Sequence, residues 1–114
     1  MRLRLVTEEY CEFMEGHGAD VDRESLMHVA NNCRLNIDLV AVADACADLD
    51  YVIEGTRLCY GIPRQPIADA VHASNMAKVG GPVVNGKQMK PEGWTPPDIA
   101  GILRRSGLPE WEAF

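Results

Sequence analysis

The sequence predicts an all-α fold, a helical bundle of an oligomeric protein with a short β-hairpin near its C-terminus. Apolar residues recur every three or four positions over several long segments, which is typical of amphipathic helices. The pair Asn85-Gly86, between two short apolar arms, favours a hairpin. The chain has 114 residues, 46% of them apolar and 25% charged, the balance of one globular domain. We expect this domain at residues 1–105 and a tail at 106–114.

The helical spacing predicts four separate segments, Leu3–Glu15, Ile37–Tyr60, Ile67–Ala77 and Ile99–Arg105. A window without glycine or proline also begins at Arg23 and continues to Glu54. It predicts one or two helices, with a break where the weak helix formers Asn31, Asn32 and Asn36 lie. A chain of this length rarely encloses a complete helical core. We therefore expect a homodimer or homotetramer.

Local signals mark the ends of these helices. Asp20 or Asp22 is expected to cap the second helix, and Asp98 the last one. Gly16-His17-Gly18 ends the first helix, and Gly61-Ile62-Pro63 ends the long one, because proline cannot continue a helix.

Composition and charge disfavour several classes of protein. The formal net charge of −6 disfavours binding to a nucleic-acid polymer, and no apolar run is long enough to cross a membrane. The four cysteines contain no C-x-x-C pair, so a zinc site is not expected. Cys11, Cys46 and Cys59 lie in helical segments and are expected in the core. Without an export signal or a disulfide framework, we expect a cytoplasmic protein.

A first acidic cluster consists of Glu8, Glu9 and Glu12 in the first helical segment. Residues three and four apart lie on neighbouring rows of a helix, so the three carboxylates project together. Taken alone, the cluster is more typical of a solvated acidic face than of a binding site.

A second acidic cluster, Asp44 and Asp48, lies within the very apolar stretch Val40–Leu49. A helix this apolar is expected to be largely buried. A buried carboxylate needs a partner, so we expect these two to bind either a metal ion or N–H and arginine groups. With the first cluster, they could form an all-oxygen cage for Mg²⁺, or for Mn²⁺, on which a polyphosphate would be held.

The two acidic segments resemble those of the all-alpha NTP pyrophosphatase superfamily. This superfamily includes MazG-type nucleotide pyrophosphohydrolases, dimeric dUTPases and phosphoribosyl-ATP pyrophosphohydrolases. Its pattern is E-x-x-E on one helix and E-x-x-D on a later one. In this sequence, Glu9 and Glu12 correspond to the first motif, and Asp44 and Asp48 lie at the second. Phage and bacterial phosphoribosyl-ATP-pyrophosphohydrolase-like proteins are similar in the segments that follow, represented here by His72–Lys78, Gly86-Lys87, Lys90-Pro91 and Pro97-Asp98-Ile99.

The resemblance implies a Mg²⁺-dependent enzyme that hydrolyses an NTP- or dNTP-like nucleotide to the monophosphate and pyrophosphate. The implied metal ligands are Glu9, Glu12, Asp44 and Asp48. Three of them, Glu9, Glu12 and Asp48, are also implied to be catalytic. Glu8 would orient or deprotonate the attacking water.

Basic and polar residues further along the chain are expected to bind the substrate. Asn75 and Lys78 follow from the resemblance, and Lys87 and Lys90 flank the hairpin and could close over a triphosphate. Without the resemblance, these two hairpin lysines are more typical of a solvated loop. Arg57 is expected to pair with a carboxylate such as Glu54, three positions before it on the helix.

The sequence departs from the family pattern at Ala45, where E-x-x-D has its glutamate. Asp44 would have to substitute, although it points about 100° away around the helix. Relatives also usually carry a helix before the acidic one, and the segment Gly16–Asn36 is longer than expected. Two alternatives therefore stay open. One is a catalytically degenerate nucleotide-binding or adaptor protein, and the other is a helical interaction module whose acidic faces are only solvated.

Overall fold

The computed structural model describes residues 2–108 and confirms the all-α prediction. The elements are α1 (Arg2–Gly16), α2 (Arg23–Asn32), α3 (Leu39–Tyr60), α4 (Arg64–Met76), β1 (Val83–Val84), β2 (Lys87–Gln88) and α5 (Ile99–Arg105). Residues 109–114 of the predicted tail lie outside the described part. None of the helices within residues 2–108 combines the length and apolarity that a membrane crossing needs.

Aspartate side chains begin three of the helices. Asp22 accepts a hydrogen bond from the backbone N–H of Ser25 at the start of α2, and Asp38 and Asp98 cap α3 and α5 in the same way. Each cap provides an acceptor for a backbone donor that has no partner within the helix. At the other end of α3, Gly61 adopts the left-handed conformation at φ 70°. The caps at Asp22 and Asp98 and the end at Gly61 agree with the signals in the sequence, whereas α3 begins at Leu39 behind Asp38 and not at the predicted Ile37.

The hairpin forms where the sequence predicts it. β1 pairs with β2, and both turn residues have positive φ, 49° at Asn85 and 75° at Gly86. This is the requirement of a type I′ turn, in which asparagine and glycine are favoured. Beyond the turn, the Gln88 side chain donates to the carbonyl of Gly81 at 2.7 Å, which holds the base of the hairpin in place.

The chain divides into two compact units, and the described part of the first comprises residues 2–36 and 85–87. Within it, α1 and α2 pack against each other, and an ion pair between Glu15 and Arg23 links them. Cys11 on α1 is fully buried, as predicted. Arg4 donates to the carbonyl oxygen of Asn85 at 2.5 Å, which attaches the turn of the hairpin to α1.

The second unit comprises residues 37–84 and, in its described part, 88–108. Helices α4 and α5 pack together here, and Ile102 of α5 is buried. The indole N–H of Trp94 donates to the carbonyl oxygen of Ser74 at 2.9 Å and so attaches the segment before α5 to α4.

Helix α3 differs from the prediction that it would be largely buried. Val40 is 81% exposed and Tyr51 is 83% exposed, and Cys46 and Cys59 are exposed as well. The prediction that these two cysteines lie in the core is therefore wrong for the single chain. The physical reason is the small core of the single chain, which leaves most of this 22-residue helix uncovered.

Candidate functional site

The first predicted acidic cluster lies on α1, where Glu8, Glu9 and Glu12 project from adjacent rows of one helix. The pKa of Glu9 is raised, because its surroundings partly desolvate the carboxyl group and because it hydrogen-bonds with Glu12. The negative charges of Glu12 and Glu8 act in the same direction. Glu9 and Glu12, the two residues of the E-x-x-E pair, thus lie close enough on α1 for Glu12 to raise the pKa of Glu9.

Glu8 has a cationic partner that the sequence did not indicate. Lys87 Nζ donates to Glu8 Oε1 at 2.8 Å, although the two residues are 79 positions apart. The side chains are 28% exposed for Glu8 and 39% exposed for Lys87. The hydrogen bond from Lys87 lowers the pKa of Glu8, and its charge and that of Arg4 lower it further. Glu8 is therefore held in its ionised form.

The β-turn explains how Lys87 reaches α1. Asn85 and Gly86 reverse the chain, and Arg4 holds the carbonyl oxygen of Asn85. Lys87 is the first residue of β2 and so follows this anchored turn directly. Two contacts, through Arg4 and through Glu8, thus place a lysine ammonium beside the acidic cluster.

The second predicted cluster, Asp44 and Asp48, lies on α3 in the second unit. Both side chains are exposed, and neither has a hydrogen-bond or ion-pair partner among the described residues. The expectation that these carboxylates are buried is wrong here, since both are exposed and water can solvate them, whereas their binding of a metal ion stays a prediction. Within residues 2–108, no three His, Cys, Asp or Glu side chains are grouped closely enough to hold a metal ion. The four-carboxylate cage therefore stays a prediction.

The predicted substrate-binding residues Asn75 and Lys78 lie at the end of α4, Asn75 in its last turn and Lys78 just after it. The ammonium of Lys78 lies 5.1 Å from the centre of a Trp94 ring. Lys90 approaches the same residue, at 4.8 Å. Sequence analysis did not predict this arrangement, because the three residues come from separate segments and share no spacing pattern.

A second basic group lies along α3 and the start of α4. Arg57 donates to Glu54 at 3.0 Å, as the sequence predicted, and Arg64 approaches the same carboxylate at 3.9 Å. These residues line an open cavity of about 420 Å³ together with Ala47, Asp50, Tyr51 and Ile53. Glu54 already pairs with both arginines. Its negative charge therefore offsets part of the positive charge that Arg57 and Arg64 would otherwise offer to a phosphate in this cavity.

The helical fold and the E-x-x-E pair on its first helix agree with the resemblance to the all-alpha NTP pyrophosphatase superfamily. The chain matches the family described as phosphoribosyl-ATP pyrophosphohydrolase over residues 1–75. It belongs to this family, and membership implies pyrophosphohydrolase activity. The matched range includes α1, α2, α3 and α4 up to its penultimate residue, and leaves out the hairpin and α5. No curated protein and no solved structure matches the chain.

Proposed function

We propose that the protein is a Mg²⁺-dependent nucleotide pyrophosphohydrolase that acts on a nucleoside triphosphate or a related triphosphate such as phosphoribosyl-ATP. The observation that carries the proposal is the E-x-x-E pair on α1, which lies inside the family match and in which Glu12 raises the pKa of Glu9. In the proposed reaction, the P–O–P bridge between the α- and β-phosphates breaks and water is added across it. The products are a nucleoside monophosphate and pyrophosphate.

The donor atoms on α1 and α3 are chemically suited to Mg²⁺. Glu9 and Glu12 supply hard carboxylate oxygens that already lie together, and the solvated carboxylates of Asp44 and Asp48 are free to bind a cation. When bound, Mg²⁺ would neutralise the charge of the phosphate oxygens. Because Ala45 stands in the family's E-x-x-D position, Asp44 is the proposed replacement for the missing glutamate.

The remaining roles fall to groups that orient water and phosphate. Glu8 is held ionised by Lys87, and a carboxylate in this state accepts hydrogen bonds and can orient the attacking water. Lys87 lies where it could turn from Glu8 to a phosphate oxygen when substrate arrives. Asn75 and Lys78 are the proposed contacts on α4 and beyond it, supplying an amide and an ammonium donor.

We also propose that a second copy of the chain covers α3. Leu39, Val40, Tyr51 and Leu58 are each more than 70% exposed. Exposed apolar side chains this numerous on one helix are typical of a surface that is buried on association. A homodimer or homotetramer would remove them from water.

Product analysis tests the proposed reaction. The purified protein is incubated with ribo- and deoxyribonucleoside triphosphates and phosphoribosyl-ATP, with Mg²⁺ or with EDTA, and the products are separated by anion-exchange chromatography. We expect Mg²⁺-dependent formation of monophosphate and pyrophosphate, which Glu12→Gln abolishes. Glu24→Gln, which removes an exposed carboxylate from the first turn of α2, is the matched control and should keep its activity.

The products also identify the alternatives. Orthophosphate in place of pyrophosphate would show that a different bond is cut and would refute the proposal. Saturable nucleotide binding without turnover, in folded protein, would favour the degenerate binding protein instead and would point to Ala45 as the cause.

A further inference from the structure

We propose that the turn of the hairpin, residues 85–87, is a latch on the acidic cluster of α1, which Lys87 occupies as a tethered cation until a divalent cation binds there. The inference rests on the proposed function for the identity of that cation. The three residues of the turn belong to the first unit, as the acidic cluster does. They lie outside residues 1–75, so the family match itself does not include the latch.

Two side chains of α1 hold the turn. Arg4 donates to the Asn85 carbonyl oxygen at 2.5 Å. Lys87 donates to Glu8 Oε1 at 2.8 Å. Since Arg4 and Glu8 are four positions apart on one helix, they lie on the same face, one turn apart. They therefore form a two-point clamp that keeps the ammonium on this face of α1.

The hairpin has little structure of its own that would fix the turn. Each strand has two residues, and Val83 and Val84 are 65% and 50% exposed. A two-stranded hairpin is marginally stable without further packing. The side chain of Gln88 holds the base of the hairpin, whereas the position of Lys87 depends on the clamp. Loss of the contact with Glu8 therefore frees the turn to move away from α1.

The Lys87 ammonium lies where a second cation would meet repulsion. Glu9 is adjacent to Glu8 and Glu12 is one helical turn beyond it, so a positive charge on Glu8 lies near both residues of the E-x-x-E pair. Desolvation and Glu12 raise the pKa of Glu9, and the charge of Lys87 opposes them, so the ammonium acts on the pair as well. An ammonium and a divalent cation are attracted by the same carboxylates and repel each other. Their binding to the cluster is therefore competitive.

Titration with Mn²⁺ in the absence of nucleotide tests the latch, because the electron paramagnetic resonance signal of free Mn²⁺ reports binding without turnover. Glu12→Gln identifies the Mn²⁺ that binds at the acidic cluster. We expect Lys87→Gln to lower the Kd of this site about three- to sixfold, the effect of removing a closing contact as strong as an exposed ion pair. Arg34→Gln, which removes an exposed positive charge from the same unit, is the matched control and should leave the Kd unchanged.

Two variants of the turn separate a latch from simple charge repulsion. Gly86→Val changes no charge but strains the turn, since Gly86 has a φ of 75°, and should also lower the Kd. Asn85→Gly suits a type I′ turn and keeps the carbonyl oxygen that Arg4 holds, so the Kd should stay unchanged. Hydrogen exchange of residues 83–88 should become faster when Mn²⁺ is added to the wild type, and not in Glu12→Gln. Circular dichroism identifies any variant that fails to fold.

The outcomes for the latch and for the reaction can be told apart. A Kd that Lys87→Gln leaves unchanged or raises would overturn the latch, even if the enzyme hydrolyses nucleotides. An unchanged Kd in folded Gly86→Val, or an equal decrease in Arg34→Gln, would also overturn it, because only general charge would then matter. If no variant binds Mn²⁺ at the cluster, the latch and the proposed metal dependence are both refuted. A lower Kd in both Lys87→Gln and Gly86→Val supports the latch even if no hydrolysis occurs, since the titration requires no turnover.

Discussion

Breaking the contact between Glu8 and Lys87 should destabilise the protein by a measurable, pH-dependent amount. At the observed 2.8 Å, two unit charges attract each other by about 1.5 kcal/mol in water and by more in the partly covered surroundings of this pair. Ordering a lysine side chain opposes this by about 1.5–2 kcal/mol. Measured energies of exposed pairs are about 0.2–1 kcal/mol, and we expect a value near the top of this range.

A double-mutant cycle measures this energy. The free energy of unfolding in urea is determined at pH 7 for the wild type, Glu8→Gln, Lys87→Met and the double variant. The coupling between the two substitutions should be about 0.5–1 kcal/mol, because the contact is direct. A coupling below about 0.2 kcal/mol, the lower end of the range for exposed pairs, would refute the proposed interaction.

The sign of the pH dependence follows from the pKa of Glu8, which Lys87 lowers in the folded protein. The contact therefore stabilises the protein above the pKa of an unfolded glutamate, about 4.3, and this stabilisation is lost as the pH falls through the folded value. NMR titration of the Glu8 carboxyl carbon should show a higher pKa in Lys87→Met. In Lys90→Met, which removes a lysine that lies on Trp94, the pKa of Glu8 should not change. An unchanged pKa in Lys87→Met would contradict the assignment.

Three further predictions concern the two units. Gly81→Ala should destabilise the protein by about 1–3 kcal/mol in urea unfolding, since the added Cβ would overlap the backbone at the base of the hairpin. Gly55→Ala should instead stabilise it by about 0.5–1 kcal/mol, because a Cβ at this position of α3 meets open space and alanine favours the helix. The Arg23 side chain lowers the pKa of Glu15. The ion pair between them therefore stabilises the folded protein near neutral pH, and this stabilisation should be lost as the pH falls through the pKa of Glu15. In thermal melts, Glu15→Gln should abolish this part of the dependence of Tm on pH. In a thiol-reactivity assay on dilute protein, Cys11 should react far more slowly than the three exposed cysteines, and equal rates for all four would contradict its burial.

The positions of the helices could be predicted from the sequence because their signals are local. Asp22 and Asp98 cap the helices that they were expected to cap, and the hairpin turns at Asn85-Gly86. A capping side chain bonds to a backbone N–H three residues away, and a turn depends on the φ angles of two residues. The contact of Arg57 with Glu54 was predictable for the same reason, since it spans three positions on one helix.

The environment of α3 was not predictable in this way. The apolar composition of α3 favours burial of the helix against other apolar side chains, and this tendency is a property of the sequence. Whether the cover comes from the same chain depends on how many apolar side chains the other helices can bring to it. In the single chain, Val40 and Tyr51 remain largely exposed, and Asp44 and Asp48 are exposed with them.

The sequence by itself determined the helical class, most of the helix ends, the turn and the E-x-x-E pair, because each depends on residues within a few positions of one another. The tertiary structure alone decided which charged groups from separate segments of the chain meet. It placed Lys87 on Glu8, and it placed Lys78 and Lys90 on Trp94. These contacts join residues from separate segments, and their distances depend on how the anchored turn and the loop before α5 fold back within their units. No periodicity or spacing in the sequence encodes such distances.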